Sequence, residues 1–230
     1  MAEIRPFRAW RYNRALLENI GELTSPLFDV TAEKQLEELY HNPLNSIHIS
    51  VPRGDKPSQN AAKVLKRWRQ KKYIVKDDKL GIYIYYQYFK LPSDPRKYCH
   101  KGFICKIRVY DWKENVILKH ENTMPEFVNV QRDLIAETRL NVTPTHGLYT
   151  DAFFALEPDM DECINHPICE AEGSQGVRNV LGVINDEFII ARFVETLKDM
   201  QVILADGHHR YAGFLAYMQQ KMIKNPAHTG

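Results

Sequence analysis

No stretch of this 230-residue sequence approaches the roughly 18 consecutive apolar residues of a membrane span, so no membrane partner is expected. The first residues, MAEIRPFRAW, lack the apolar core of a secretory signal, which makes the cytoplasm the expected location. Four cysteines, Cys99, Cys105, Cys163 and Cys169, form no CxxC pair and read as reduced thiols. Also missing are GxxxxGKS/T, GxGxxG after a strand, and GxSxG, so P-loop, dinucleotide-fold and hydrolase-elbow readings have no support. The sequence holds no internal repeat and no low-complexity tract. Charge of one sign is lacking too: a formal net charge of +2 creates no global field that demands nucleic acid.

What is there suits a globular fold. A hydrophobic fraction of 44% and a charged fraction of 26% are ordinary, and 230 residues suffice to bury a core. Residues 1–230 read as one α+β (mixed α/β) domain. A subdivision would set a hairpin-containing part, 1–150, beside 151–230, which holds an acidic segment and a strand–loop–helix. No strand follows the last helix to close a sheet, so the chain reads as the N-terminal portion of a longer protein.

IRPFRAWRYN (Ile4–Asn13) reads as a short strand or extended lead-in. Thr31 is the expected cap of a helix over 32–40. NSIHISV reads as a strand. QNAAKVLKRWRQKK reads as a helix with Ala61, Leu65 and Trp68 on one apolar face and a basic remainder. GIYIYYQYF and KGFICKIRVYDW alternate with period two, and the Pro- and Asp-rich KLPSDPRKY between them reads as a long loop in an antiparallel hairpin. NVILKH is a further strand, 127–139 a helix, and 147–149 extended. The acidic stretch 157–172 is expected to form an exposed helix and loop. GVRNVLGVI reads as a strand, 186–198 as a helix, QVILA as a strand, and 211–221 as the last helix. Hairpins mixed with strand–helix units give the α+β class.

VILADGHHRYAGFLAYM (Val202–Met218) carries the strongest chemical signal. An apolar strand breaks at Asp206-Gly207, and His208, His209 and Arg210 open a helix. Cations in a first turn oppose the helix dipole. An anion, most simply phosphate, would offset that cost by binding the free N–H groups, with Arg210 bidentate and a histidine donating or carrying a proton. Two other readings stay open: a metal site, and a plain turn in which Asp206 is only a cap. Adjacent histidines point in different directions on a helix, which argues against both binding one metal.

LKHENT puts His120 and Glu121 at a strand end, where Glu121 could serve as general base or bind Mg²⁺. ETRLNVTPTHG adds Arg139, Asn141 and His146 in a polar loop. Arg139 reads as a second phosphate contact or as a charge satisfying a helix C-terminus. Arg5, Arg8 and Arg11 interleave with Phe7, Trp10 and Tyr12, a pattern that can stack on a base or simply pack. KVLKRWRQKK is the best nucleic-acid patch, and nucleic acid is the lesser reading beside a solvated helix face. Cys163, His166 and Cys169 have the wrong spacing for a strong zinc motif.

IRPFRAWRYN, LKHENT and ILADGHHRY in this order resemble the family catalogued as domain of unknown function 1015, across essentially the whole chain. The sequence departs from that family at LTSPLFDV, where a Pro-Pro-Tyr-Asp-Val pattern is usual: two positions are replaced and Asp29 is kept. The DGHHR loop also resembles the phosphate loop of the ParB/sulfiredoxin superfamily, which includes free-serine kinases, CTP-hydrolysing ParB proteins and sulfiredoxins. That resemblance implies a small mixed sheet with flanking helices and an inserted antiparallel hairpin region. It further implies phosphate contacts from Gly207, His208, His209 and Arg210, with Asp206 shaping the loop. A histidine stands at the catalytic cysteine position of sulfiredoxins, so sulfinate reduction is not expected.

The expected function is a phosphotransferase or nucleotide hydrolase using ADP or ATP, with CTP as the alternative, and Mg²⁺. His209 and Glu121 are the expected catalytic pair, Glu121 on chemistry alone, and the expected acceptor is a small molecule such as serine. Arg5, His120, Arg139 and Asn141 are additional candidates. The alternatives are a nucleotide-gated, ParB-like module binding DNA or a partner, and a non-catalytic fold.

Overall fold

The computed structural model describes residues 1–26, 33–173 and 176–226. Thr31 and Asp29, singled out above, lie outside the described residues. The fold is mixed α+β, with eight α-helices and several small sheets among the described residues.

Two sheets matter most. The larger orders four strands as β5-β4-β10-β9, all antiparallel: β4 (Ile82–Leu91), β5 (Asp94–Ile104), β9 (Cys169–Glu172) and β10 (Arg178–Ile184). Apolar and aromatic side chains on β4 and β10 meet α6 (Glu157–Ile164) and α7 (Glu187–Lys198) in the main core. Ile82, Ile84, Tyr86, Val180, Leu156 and Phe193 are all sealed there. Each such side chain contributes roughly 1.5–3 kcal/mol relative to leaving it in water. Asp186 caps α7 by accepting from the Phe188 and Ile189 amides.

The smaller sheet orders β7-β11-β8. Here β11 (Val202–Asp206) runs parallel to β7 (Ile117–Leu118) and antiparallel to β8 (His146–Leu148). Behind it, Ile117, Leu204, Tyr110 and Tyr211 form a second core. Tyr211 belongs to α8 (His208–Lys224), and its hydroxyl donates to the Tyr110 carbonyl and accepts from the Tyr110 amide. That pair of bonds fixes the start of α8 under the sheet. α5 (Pro125–Thr138) lies against α8 so closely that a Cβ at Gly213 would stand 2.7 Å from Gln131 Cβ.

A third core joins Tyr12, Leu23, Ile49, Leu65, Trp68 and Ile74. It is built from β2 (Trp10–Tyr12), β3 (Ile74–Lys76), α1 (Ile20–Leu23), α3 (Ile47–Ser50) and α4 (Pro57–Gln70). α2 (Glu33–His41) precedes α3, and β1 (Ile4–Arg5) pairs with β6 (Lys106–Ile107).

Three local expectations are corrected. NSIHISV forms the short helix α3 rather than a strand. Buried Asn45 holds that turn through bonds from its amide to the Glu22 and Thr24 carbonyls and from the Ile47 N–H to its Oδ1. KLPSDPRKY is almost entirely strand, and only Pro92 and Ser93 separate β4 from β5. Asp94 accepts from Arg96 and Tyr98, so residues that looked like loop formers serve the ladder instead. The acidic stretch contains β9 as well as a helix, because β10 offers it an edge. The strand β10, from the second of the two parts suggested by the sequence, lies hydrogen-bonded between β4 and β9, and β11 between β7 and β8.

Candidate functional site

Strand direction assembles the site. Because β7 and β11 are parallel, with Ile117 opposite Val202 and Leu118 opposite Ile203, their C-terminal ends leave the sheet on the same side. Open sheets bind ligands at such carboxyl ends. His120 and Glu121 follow β7 there, and Gly207 and His208 follow β11. Antiparallel β8 begins at the same edge, with His146 opposite Asp206. The register shifts between Leu204 and Asp206, an irregularity of the kind that re-aims a side chain at a strand end.

Gly207 ends the strand with φ of +90°, a conformation that side-chain-bearing residues resist. Any Cβ at that position would also sit 3.0 Å from the Arg210 guanidinium and from Thr145 Cγ2. With glycine as its N-cap, α8 has no capping side chain, so its first-turn amides face outward with a partial positive charge. Arg210 does not project freely. It ion-pairs with Asp206 at 2.5 Å and donates to the Pro144 carbonyl at 2.6 Å, tying the turn to the loop before β8. Its side chain is only 15% exposed. Asp206 thus holds the arginine rather than capping the helix.

The two histidines diverge. His209 faces α5: its Nε2 accepts from the Met124 amide at 3.1 Å, and its ring meets Phe127 edge-on. An acceptor at Nε2 leaves the ring proton of the neutral form on Nδ1. His208 turns inward and is 3% exposed. Its Nδ1 lies 3.4 Å from Glu121 Oε2, its ring packs edge-on against His120, and its Nε2 has no partner. Burial lowers the His208 pKa from its ordinary value, against an opposing pull from Glu121. Burial also lowers that of His146, whose ring packs against His100.

His120, Glu121 and His208 form the one grouping of three metal-capable side chains among the described residues. Glu121 is 59% exposed and His120 53%, so the group opens to solvent on one side. Cys163, His166 and Cys169 do not form such a group.

The remaining candidates lie apart from this edge. Arg5 ion-pairs with Glu3 on β1. Arg139 is the left-handed C-cap of α5 and bonds Tyr217, nine residues along α8 from His208, about 13 Å away along the axis. Asn141 is exposed in the loop that follows. His100 had drawn no notice from the sequence. It lies on β5, and no local pattern ties it to His146.

The family model described as "Protein of unknown function (DUF1015)" matches residues 4–230. No curated protein and no solved structure matches the chain.

Proposed function

Because the chain belongs to the DUF1015 family, whose description names no activity, we propose its function from the site itself: the Asp206–Arg210 turn binds nucleotide phosphates, and the protein transfers a phosphoryl group to a small hydroxyl compound. One observation carries this reading. Parallel pairing of β7 and β11 brings a solvent-accessible carboxylate, Glu121, to the uncapped N-terminus of a 17-residue helix. An anion cradle and a proton acceptor are the two protein parts that phosphoryl transfer needs.

In this reading the N–H groups of His208, His209 and Arg210 receive the phosphate oxygens. Arg210 is held in place by Asp206 and Pro144, so its remaining donors meet the phosphates with little loss of freedom. His209 donates from Nδ1. The acceptor hydroxyl attacks the terminal phosphorus, its proton passes to Glu121, and the bond to the leaving nucleotide oxygen breaks. Mg²⁺ needs few protein ligands beside a nucleotide, and the carboxylate of Asp206 is an oxygen donor of the right kind. When bound, it supplies charge neutralisation on the phosphates. ADP or ATP is the expected donor and CTP the alternative, with serine the first acceptor to try.

Calorimetry of ADP, ATP and CTP with Mg²⁺ tests the reading. One nucleotide should bind, and Arg210→Ala should weaken it by at least about tenfold, the cost of a charge-assisted hydrogen bond. No binding of any nucleotide sinks it. Salt-sensitive DNA binding that is lost when Lys66 and Arg67 on the exposed face of α4 and Lys71 just after it are neutralised would instead support a nucleotide-gated binding module.

A further inference from the structure

We infer that His120, Glu121 and His208 form a binding site for a borderline divalent transition metal, Zn²⁺ or Co²⁺ in type, separate from any Mg²⁺ that travels with a nucleotide. One donor atom from each residue lies within 4.8 Å of the others. His120 Nε2 stands 3.8 Å from Glu121 Oε1, and His208 Nδ1 3.4 Å from Glu121 Oε2. Ligands about 2.0–2.1 Å from a tetrahedral Zn²⁺ are about 3.4 Å apart. The group is therefore near ligation distance already, and small rotations of the exposed His120 and Glu121 close the rest.

Two features favour a metal over a plain polar cluster. His208 is sealed from solvent and turns its Nδ1 toward the Glu121 carboxylate, 3.4 Å away. Finally, two imidazoles with one carboxylate, open on one side, are the donor set of zinc sites that keep a free position. Mg²⁺, which prefers oxygen, is poorly matched to two nitrogens.

The same carboxylate cannot ligate a metal and accept a proton from an acceptor hydroxyl at one time. Metal loading and the base role of Glu121 are therefore competing uses of one side chain. Metal binding needs no nucleotide, so the two readings stand or fall separately.

The test is titration of the chelator-stripped full chain with Co²⁺, followed by visible absorption, and with Zn²⁺ by calorimetry, both without nucleotide. One equivalent should bind, Zn²⁺ should displace Co²⁺, and Mg²⁺ should not compete. The exposed substitutions His120→Ala and Glu121→Gln should each weaken binding by more than roughly tenfold, since losing even an outer-shell partner costs that much, while circular dichroism stays unchanged. Absence of saturable binding would overturn the inference. So would binding that survives both substitutions, because the metal would then lie elsewhere.

Discussion

The two principal sheets divide the work of the molecule. In β5-β4-β10-β9 the strands reach 10 and 11 residues, and Ile82, Ile84 and Tyr86 of β4 and Val180 of β10 are buried in a core with Phe193 of α7. In β7-β11-β8 the strands are only 2, 5 and 3 residues long, and Leu148 and Ile203 stay about half exposed. The first sheet is long enough to supply stability. The second is just long enough to aim three chain segments at one edge, where Glu121 meets His208 and Arg210 ties the turn to the loop before β8. A short sheet suffices there because direction, rather than buried area, sets which residues converge.

The largest expected effect separates the two. Phe193→Ala empties a fully buried site and should cost about 3–5 kcal/mol in denaturant unfolding, with nucleotide affinity unchanged in the surviving folded fraction. A matching loss of affinity would break the division between the sheets. Glu121→Gln should do the reverse. Phosphoryl transfer should fall by about 10²–10⁴-fold, the usual worth of a general base, while the nucleotide still binds and the unfolding midpoint hardly moves.

Gly207→Ala should fall between these. The positive φ should cost about 1–2 kcal/mol, and displacement of the Arg210 guanidinium by the new Cβ should weaken nucleotide binding as well. Unchanged binding in that variant would show that the turn does not shape the anion site.

The smallest effect is a pH dependence. Burial lowers the pKa of both His208 and His146, so the unfolded chain takes up protons at a higher pH than the folded one. Stability should be full above the ordinary histidine value near 6.5 and fall as acid takes the pH below it, until the folded-state groups also titrate. His146→Gln should flatten part of this slope in urea midpoints measured across that range. An unaltered slope would remove His146 from the account.

Much of the fold can be read locally. The apolar run of β11, the glycine turn and the helix after it follow from residue type alone, as does the Asp186 cap of α7. Misreadings arose where a distant partner decides. Ile47 and Ile49 alternate like a strand, yet Asn45 reaches the carbonyls of Glu22 and Thr24 and coils the segment. Asp94 and Pro95 look like loop formers, yet β4 continues the ladder past them, with Lys90 opposite Lys97. At the site, DGHHR announces itself, but the pairing of Glu121 with His208 does not, because 87 positions separate them.

The sequence by itself determined the α+β class, most helices, and a strand–turn–helix at Asp206–Arg210 with cations in the helix's first turn. These depend on periodicity, glycine freedom and charge placed against a helix dipole, all of which act over a few residues. Tertiary structure alone decided that His208 is buried, that Arg210 is spent partly on Asp206 and Pro144, and that His120 and Glu121 face His208. Those outcomes depend on the parallel pairing of β7 with β11, a long-range choice in which burial of Ile117, Leu204 and Tyr211 behind the sheet outweighs any local preference.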